Sequence, residues 1–181
     1  EKYKAVGTSA LRDAANSKEF LTRMRDMGIE LKIISGKREA QLSYLGAVAG
    51  LGLAHEGNRQ IAVLDIGGGS TEISLGTGDV FEKVYSESIG AVRMTEAFFK
   101  SDPPLESEMD SLRAYVNKIL SDIFESVRRT DVGMLVGVGG TITTVVAICE
   151  GLVEYDPETV HGYVLEHKQV QNVLEKLSKM T

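Results

Sequence analysis

The segment Asp65-Ile66-Gly67-Gly68-Gly69-Ser70-Thr71-Glu72 sets three glycines and two hydroxyls between two carboxylates. Backbone without Cβ atoms can approach a phosphate closely and surround it with N–H groups, which makes Gly67, Gly68, Gly69, Ser70 and Thr71 candidate phosphate ligands. Asp65 and Glu72 flank them and could hold a hydrated magnesium ion, directly or through water, since that ion usually keeps several waters. The alternative for Asp65 is a hydrogen bond to the glycine turn, as short acidic side chains often make. No Lys-Ser/Thr pair follows, which excludes a P-loop, and the G-x-G-x-x-G spacing of dinucleotide folds is absent. A second cluster, Gly137-Val138-Gly139-Gly140-Thr141, precedes a helical pattern whose N-terminus could face an anion through Gly139, Gly140 and Thr141. Close packing of a strand on a helix explains that cluster equally well. Arg12 stands in the first turn of a predicted helix, where a cation opposes the dipole by about 0.3–1 kcal/mol unless an anion is near. A phosphate contact accounts for it, with a surface pair to Asp13 as the alternative.

These residues need elements to hold them. Tyr3 to Val6 reads as a strand, followed by Ser9 and Asn16 as helix caps, the second with Glu19 in a capping-box-like pair. A helix from Ser17 to Met27 is stopped by Gly28, Leu31 to Ile34 is a short strand, and Lys37 to Gly50 carries Ala40, Leu42, Leu45, Ala47 and Val48 in helical spacing. Ile61–Asp65, Ser70–Leu75 and Val80–Ile89 read as three consecutive strands, the last two joined through Gly76-Thr77-Gly78-Asp79. Ser70, Glu72 and Ser74 alternate with Thr71, Ile73 and Leu75, the period of a strand with one buried face, so the first glycine loop is a hairpin turn. Asp102-Pro103-Pro104 signals a helix start, and Leu105, Met109, Leu112, Val116, Ile119, Ile123 and Val127 recur at three- and four-residue steps, predicting one long helix laid over a sheet. A last strand, Met134 to Val138, enters the second glycine cluster. The result is an α/β chain with an antiparallel hairpin meander in a mixed sheet, helices packed on it, and a boundary in the Gly50 to Asn58 stretch.

Composition narrows the class. The 181 residues are 43% hydrophobic, enough for a real core, and 20 basic against 26 acidic side chains give a formal charge of −6, which recommends neither nucleic acid nor an anionic membrane as partner. An anionic substrate therefore needs a local positive site. The single Cys149 sits in an apolar run and excludes an internal disulfide framework, which fits a reducing cytoplasm. No apolar run is long enough to span a bilayer, and no signal-peptide pattern opens the chain. His55 and His167 lack partners at ligand spacing, so no zinc site is read.

The hairpin Asp65 to Glu72 followed by Gly137 to Thr141 resembles the actin-like (ribonuclease H-like) ATPase superfold of sugar kinases, actins and heat-shock chaperones. Thr8-Ser9-Ala10-Leu11-Arg12-Asp13-Ala14-Ala15-Asn16, Ile34-Ser35-Gly36-Lys37-Arg38-Glu39-Ala40 and Val160-His161-Gly162 look like one branch of it, the exopolyphosphatase and guanosine pentaphosphate phosphatase family, over nearly the whole chain. The resemblance implies hydrolysis of a terminal phosphate from polyphosphate or from the alarmone pppGpp, with a divalent metal, usually Mg2+, in a cleft between two lobes. It implies that Glu39 orients or deprotonates the attacking water, although the residues alone allow a carboxylate that merely suits a helix start. By the same resemblance Arg12 faces the phosphate and His161 is structural. Two departures stand out: Arg38 occupies the first acidic position of the family's Ser-Gly-x-Glu-Glu-Ala pattern, and the family's Asp-x-Gly-Ser-Asn-Ser loop is not found. The expectation is an internal fragment, with residues 1–54 the end of the first actin-like lobe and 55–181 most of the second. Its parent would be cytoplasmic, a homodimer being one expected assembly. The competing class is a non-catalytic module that holds polyphosphate, guanosine pentaphosphate or guanosine tetraphosphate without cutting it. An ATP-dependent sugar kinase shares the superfold but lacks the Thr8 to Asn16 and Ser35 to Ala40 motifs.

Overall fold

A computed structural model describes residues 3–55 and 59–180 and contains two sheets. In the smaller, β1 (Ala5–Gly7) and β2 (Leu31–Ile33) pair in parallel, joined by α1 (Ser9–Asp13) and α2 (Ser17–Asp26). One of the two expected caps moves by a residue. Thr8 takes the N-cap of α1, its carbonyl accepting from the Arg12 N–H at 3.0 Å, so Ser9 is the first helical residue and is buried. Asn16 does cap α2, but at φ −99° and ψ 16° its side chain accepts no bond. Glu19 instead accepts from Arg23 Nη2 at 2.6 Å, one turn along the exposed helix, so no capping box forms.

The larger sheet has the order β5-β4-β3-β6. β3 (Gln60–Ile66), β4 (Thr71–Thr77) and β5 (Val80–Glu87) form the expected antiparallel meander, and β6 (Met134–Val138) returns parallel to β3. The hairpin register places Asp65 opposite Glu72 and Ile66 opposite Thr71. β4 departs from the reading of one buried face: Thr71 to Gly76 are all buried. Flanked on both edges and covered on both faces, it carries Ile73 into a cluster with Ile89, Met94, Leu120 and Ile123, while Glu72 and Ser74 lie under α3 (Gly36–Gly50). Ser74 Oγ donates to the Ala40 carbonyl there at 3.2 Å, which satisfies a hydroxyl that burial would otherwise strand.

α3 starts at Ser35, whose hydroxyl accepts from the Arg38 N–H at 3.3 Å. α3 packs on β3, β4 and β5. The buried stripe of α3 is Ala40, Tyr44 and Val48, and Tyr44 replaces the expected Leu42, which is exposed. Tyr44 lies over Gly76, where a Cβ would stand 2.5 Å from its hydroxyl oxygen. Its O–H donates to the Gly78 carbonyl at 2.9 Å. Burial, then the Glu82 and Asp79 carboxylates, push its pKa from 10.0 up to about 12. Tyr44→Phe leaves that carbonyl without its donor, and an expected loss of about 1 kcal/mol follows, read as a lower urea midpoint at unchanged slope. Because the folded pKa is raised, the phenol's contribution is intact below pH 10 and lost as pH climbs through about 12; the variant's stability should not fall through that window on this account.

After β5 come α4 (Ala91–Phe98), which the sequence reading did not contain, and α5 (Glu106–Arg128). α5 begins after Leu105, later than the prolines suggested, with Glu108 Oε2 accepting from the Leu105 N–H at 2.9 Å. Leu112, Val116, Ile119, Ile123 and Val127 of the expected stripe join the β4 cluster, so α5 is one helix over a sheet, whereas Leu105 stays exposed. β6 leads into α6 (Gly139–Cys149), followed by the unexpected α7 (Pro157–Val160) and α8 (His167–Leu177), which packs on α6. Among the described residues no helix is long and apolar enough to cross a membrane.

Candidate active site

The connection from β3 to β4 is the four residues Gly67 to Ser70, closed by a hydrogen bond from the Gly67 N–H to the Ser70 carbonyl at 2.9 Å. Its carbonyls are tied back by α4. The Ala91 N–H donates to Gly67 O at 2.9 Å, the Arg93 N–H to Gly68 O at 3.0 Å, and Arg93 Nε to Gly69 O at 2.9 Å. Among the described residues, the N–H groups of Gly68, Gly69 and Ser70 have no acceptor within the fold. The loop lines a cleft of about 400 Å³ whose other walls are Thr8 to Ala10 at the head of α1, Glu39 on α3, and Val92, Arg93 and Glu96 on α4. Unpartnered donors on a glycine loop facing a cleft make a binding surface for an anion.

Glu39 and Arg12 meet. Arg12 Nη1 donates to Glu39 Oε2 at 2.9 Å and to the Ile34 carbonyl at 2.8 Å, and both side chains are largely buried, at 24% and 19% exposure. Arg12 therefore does not pair with Asp13; Asp13 accepts instead from Arg93 Nη2. Thr71 stands apart from the cleft lining, since its hydroxyl donates to the Ile89 carbonyl at 2.5 Å. The second glycine cluster also lies outside that lining, beside Asp65. Gly139 has φ +83°, and a Cβ there would fall 2.6 Å from Asp65 Oδ1, so only glycine lets β6 turn into α6 against this carboxylate. His161 Nε2 lies 3.1 Å from the Gly50 carbonyl, tying the Val160 to Gly162 turn to the end of α3.

Asp65 and Glu72, directly opposed across the hairpin, put two like charges on the face that α3 covers. Such a cross-strand pair is unfavourable by itself. Asp65 Oδ2 accepts from Ser43 Oγ at 2.7 Å, and Glu72 Oε1 from Ser86 Oγ at 2.9 Å. Glu72 is 2% exposed. Burial raises its pKa above 4.5, the Ser86 and Ser70 hydroxyls oppose the shift, and the negative charges of Glu39 and Asp65 add to it. The donor chemistry, hard carboxylate oxygens with excess negative charge, fits a divalent cation. Among the described residues no three His, Cys, Asp or Glu side chains converge closely enough to enclose an ion. A raised carboxylate pKa stabilises the fold below 4.5 and works against it as pH rises through the shifted value. In chelator-containing buffer at pH 7, Glu72→Gln should raise the melting temperature, by about 2–4 °C for each kcal/mol relieved, and the gain should vanish near pH 4.

Arg93, Ser43 and Ser86 belong to this site and were not read from the sequence, and Asp13 was named only as an alternative partner of Arg12. The available signal was Gly90 between the end of a strand pattern and Arg93, a glycine that permits close backbone approach.

A four-stranded sheet with a hairpin glycine loop, flanking acids and helices on both faces defines a protein of the actin-like ATPase fold. The model of the Ppx/GppA phosphatase family matches residues 1–181, and the chain belongs to that family. Exopolyphosphatase 2 of Mycobacterium tuberculosis is 35% identical over 187 residues, covering 100% of this chain and 57% of that protein. The crystal structure of the Aquifex aeolicus Ppx/GppA family member is 36% identical with a TM-score of 0.81, over 99% of this chain and 56% of that one. An exopolyphosphatase-like protein of known crystal structure is 34% identical with a TM-score of 0.89, covering 100% of this chain and 58% of the other. The chain thus spans a little over half the length of these relatives, and the recognition and fold class expected from its motifs hold.

Proposed function

We propose that the protein is a phosphohydrolase that releases terminal orthophosphate from inorganic polyphosphate, with guanosine pentaphosphate as the second substrate of the same chemistry. The observation that carries the reading is the convergence on one cleft of three unpartnered N–H groups, at Gly68, Gly69 and Ser70, with Glu39 held by Arg12. In our reading the terminal phosphoryl oxygens take those donors, which are in place before charge develops and so favour the transition state. Arg12 swings from Glu39 to a phosphoryl oxygen, and the freed carboxylate accepts a proton from the in-line water. A divalent cation, Mg2+ in our reading, held by Asp65 and Glu72 partly through water, would neutralise charge on the phosphoryl oxygens. Gly139, Gly140 and Thr141 would face a more distal part of the chain or nucleotide.

A calorimetric titration with tripolyphosphate and with guanosine tetraphosphate, run beside an orthophosphate-release assay, tests the reading. Binding with release supports it. Binding without release makes the protein a holding module for the same anions, and neither binding nor release overturns both.

A further inference from the structure

Arg93 is bound to two partners that do not belong together in sequence. Its Nε–H holds the Gly69 carbonyl at 2.9 Å, and its Nη2 holds Asp13 at the end of α1. In a planar trans peptide the C=O and the following N–H point in opposite directions. Fixing the Gly69 carbonyl against the guanidinium therefore fixes the Ser70 N–H on the other side of the loop. The Arg93 and Ala91 backbone N–H groups do the same, through Gly68 O and Gly67 O, for the Gly69 and Gly68 N–H groups. Two of these bonds are backbone and independent of the side chain at 93, whereas the third exists only because that side chain is an arginine.

We propose that Arg93 is a positioning residue of the anion loop: it aims the Ser70 N–H through the Gly69 carbonyl and, through Asp13, holds α1 against the same loop. The inference rests on the phosphate-cleft reading above. Lysine carries the same charge but only a point-like ammonium, so it does not span two separate acceptors as the guanidinium fork does. Anion binding should therefore depend on the shape of residue 93 and not on its charge alone.

The test uses Arg93→Lys, Arg93→Ala and Asp13→Asn in the full chain, with unchanged amide signals of β3 and β4 as the check on folding. Arg93 is 39% exposed at its side chain, and α4 keeps its backbone bonds in each variant. Without ligand, the Ser70 amide signal should move in both Arg93 variants. Tripolyphosphate should bind at least tenfold more weakly to both, and about threefold more weakly to Asp13→Asn. Wild-type affinity in Arg93→Lys would show that charge alone suffices and overturn the inference, as would an unmoved Ser70 amide in Arg93→Ala. If neither Arg93 variant folds, an Asp13→Asn protein with unchanged affinity overturns it instead. Failure of the wild-type chain to bind tripolyphosphate defeats the phosphate reading, while the ligand-free amide comparison still decides whether Arg93 orders the loop.

Discussion

Glu39→Gln should reduce orthophosphate release by about 10²–10⁴-fold, the usual contribution of a positioned general base, while tripolyphosphate binding stays within a few-fold of wild type. Glutamine keeps the shape and still presents an oxygen to Arg12, whose Nη1 lies 2.9 Å from Glu39 Oε2. The ability to take a proton is lost, and with it the negative charge paired with Arg12. The backbone at this position is held by the Ser35 cap and by the bond from the Glu39 N–H to the Ser35 carbonyl at 2.9 Å, so the helix start should not rearrange. A variant that binds and turns over like wild type would remove Glu39 from the chemistry.

Gly90→Ala should be the most damaging conservative change in the loop's surroundings. A Cβ at residue 90 would stand 2.3 Å from the Gly68 carbonyl carbon and 2.4 Å from both Gly68 O and Gly69 N. All three are backbone atoms, so no flexible side chain can yield. Either α4 retreats, breaking the bonds from the Ala91 and Arg93 N–H groups, or the glycine loop shifts. The expected cost is about 1–3 kcal/mol of stability, as for other overpacked sites, together with more than tenfold weaker tripolyphosphate binding. Gly46→Ala is the matched control: that glycine is exposed within α3 with nothing within 4 Å of a new Cβ, and alanine there should stabilise by about 0.5–1 kcal/mol. Equal behaviour of the two variants in urea titrations would contradict the role given to α4.

The hairpin and β6 were legible because strand patterns and glycine turns are local, and their bounds shifted by only a residue or two. The two-sided burial of β4 was not, because alternating Glu72 and Ser74 read as a wet face until α3, more than twenty residues earlier, is laid over them. α4 was missed because eight residues after a glycine give too short a period to stand out. Arg12 and Glu39 were both singled out, yet their mutual contact depends on how α1 and α3 meet, 27 residues apart, and local dipole reasoning offered Arg12 a phosphate contact, with Asp13 as the alternative partner. For Arg93 the one local sign was Gly90, three residues earlier, which marks a close backbone approach without naming the partners. The arginine's role follows from where β5 delivers the chain, beside Gly69, 24 residues before Arg93.

The most direct measurement is oxygen-isotope analysis of orthophosphate released from polyphosphate in ¹⁸O-enriched water. Attack of cleft water on the terminal phosphorus predicts one solvent oxygen in each orthophosphate, released continuously by wild type and at a rate lower by about two orders of magnitude or more in Glu39→Gln. Orthophosphate without solvent oxygen, or tight polyphosphate binding with no release under the same conditions, would contradict the account.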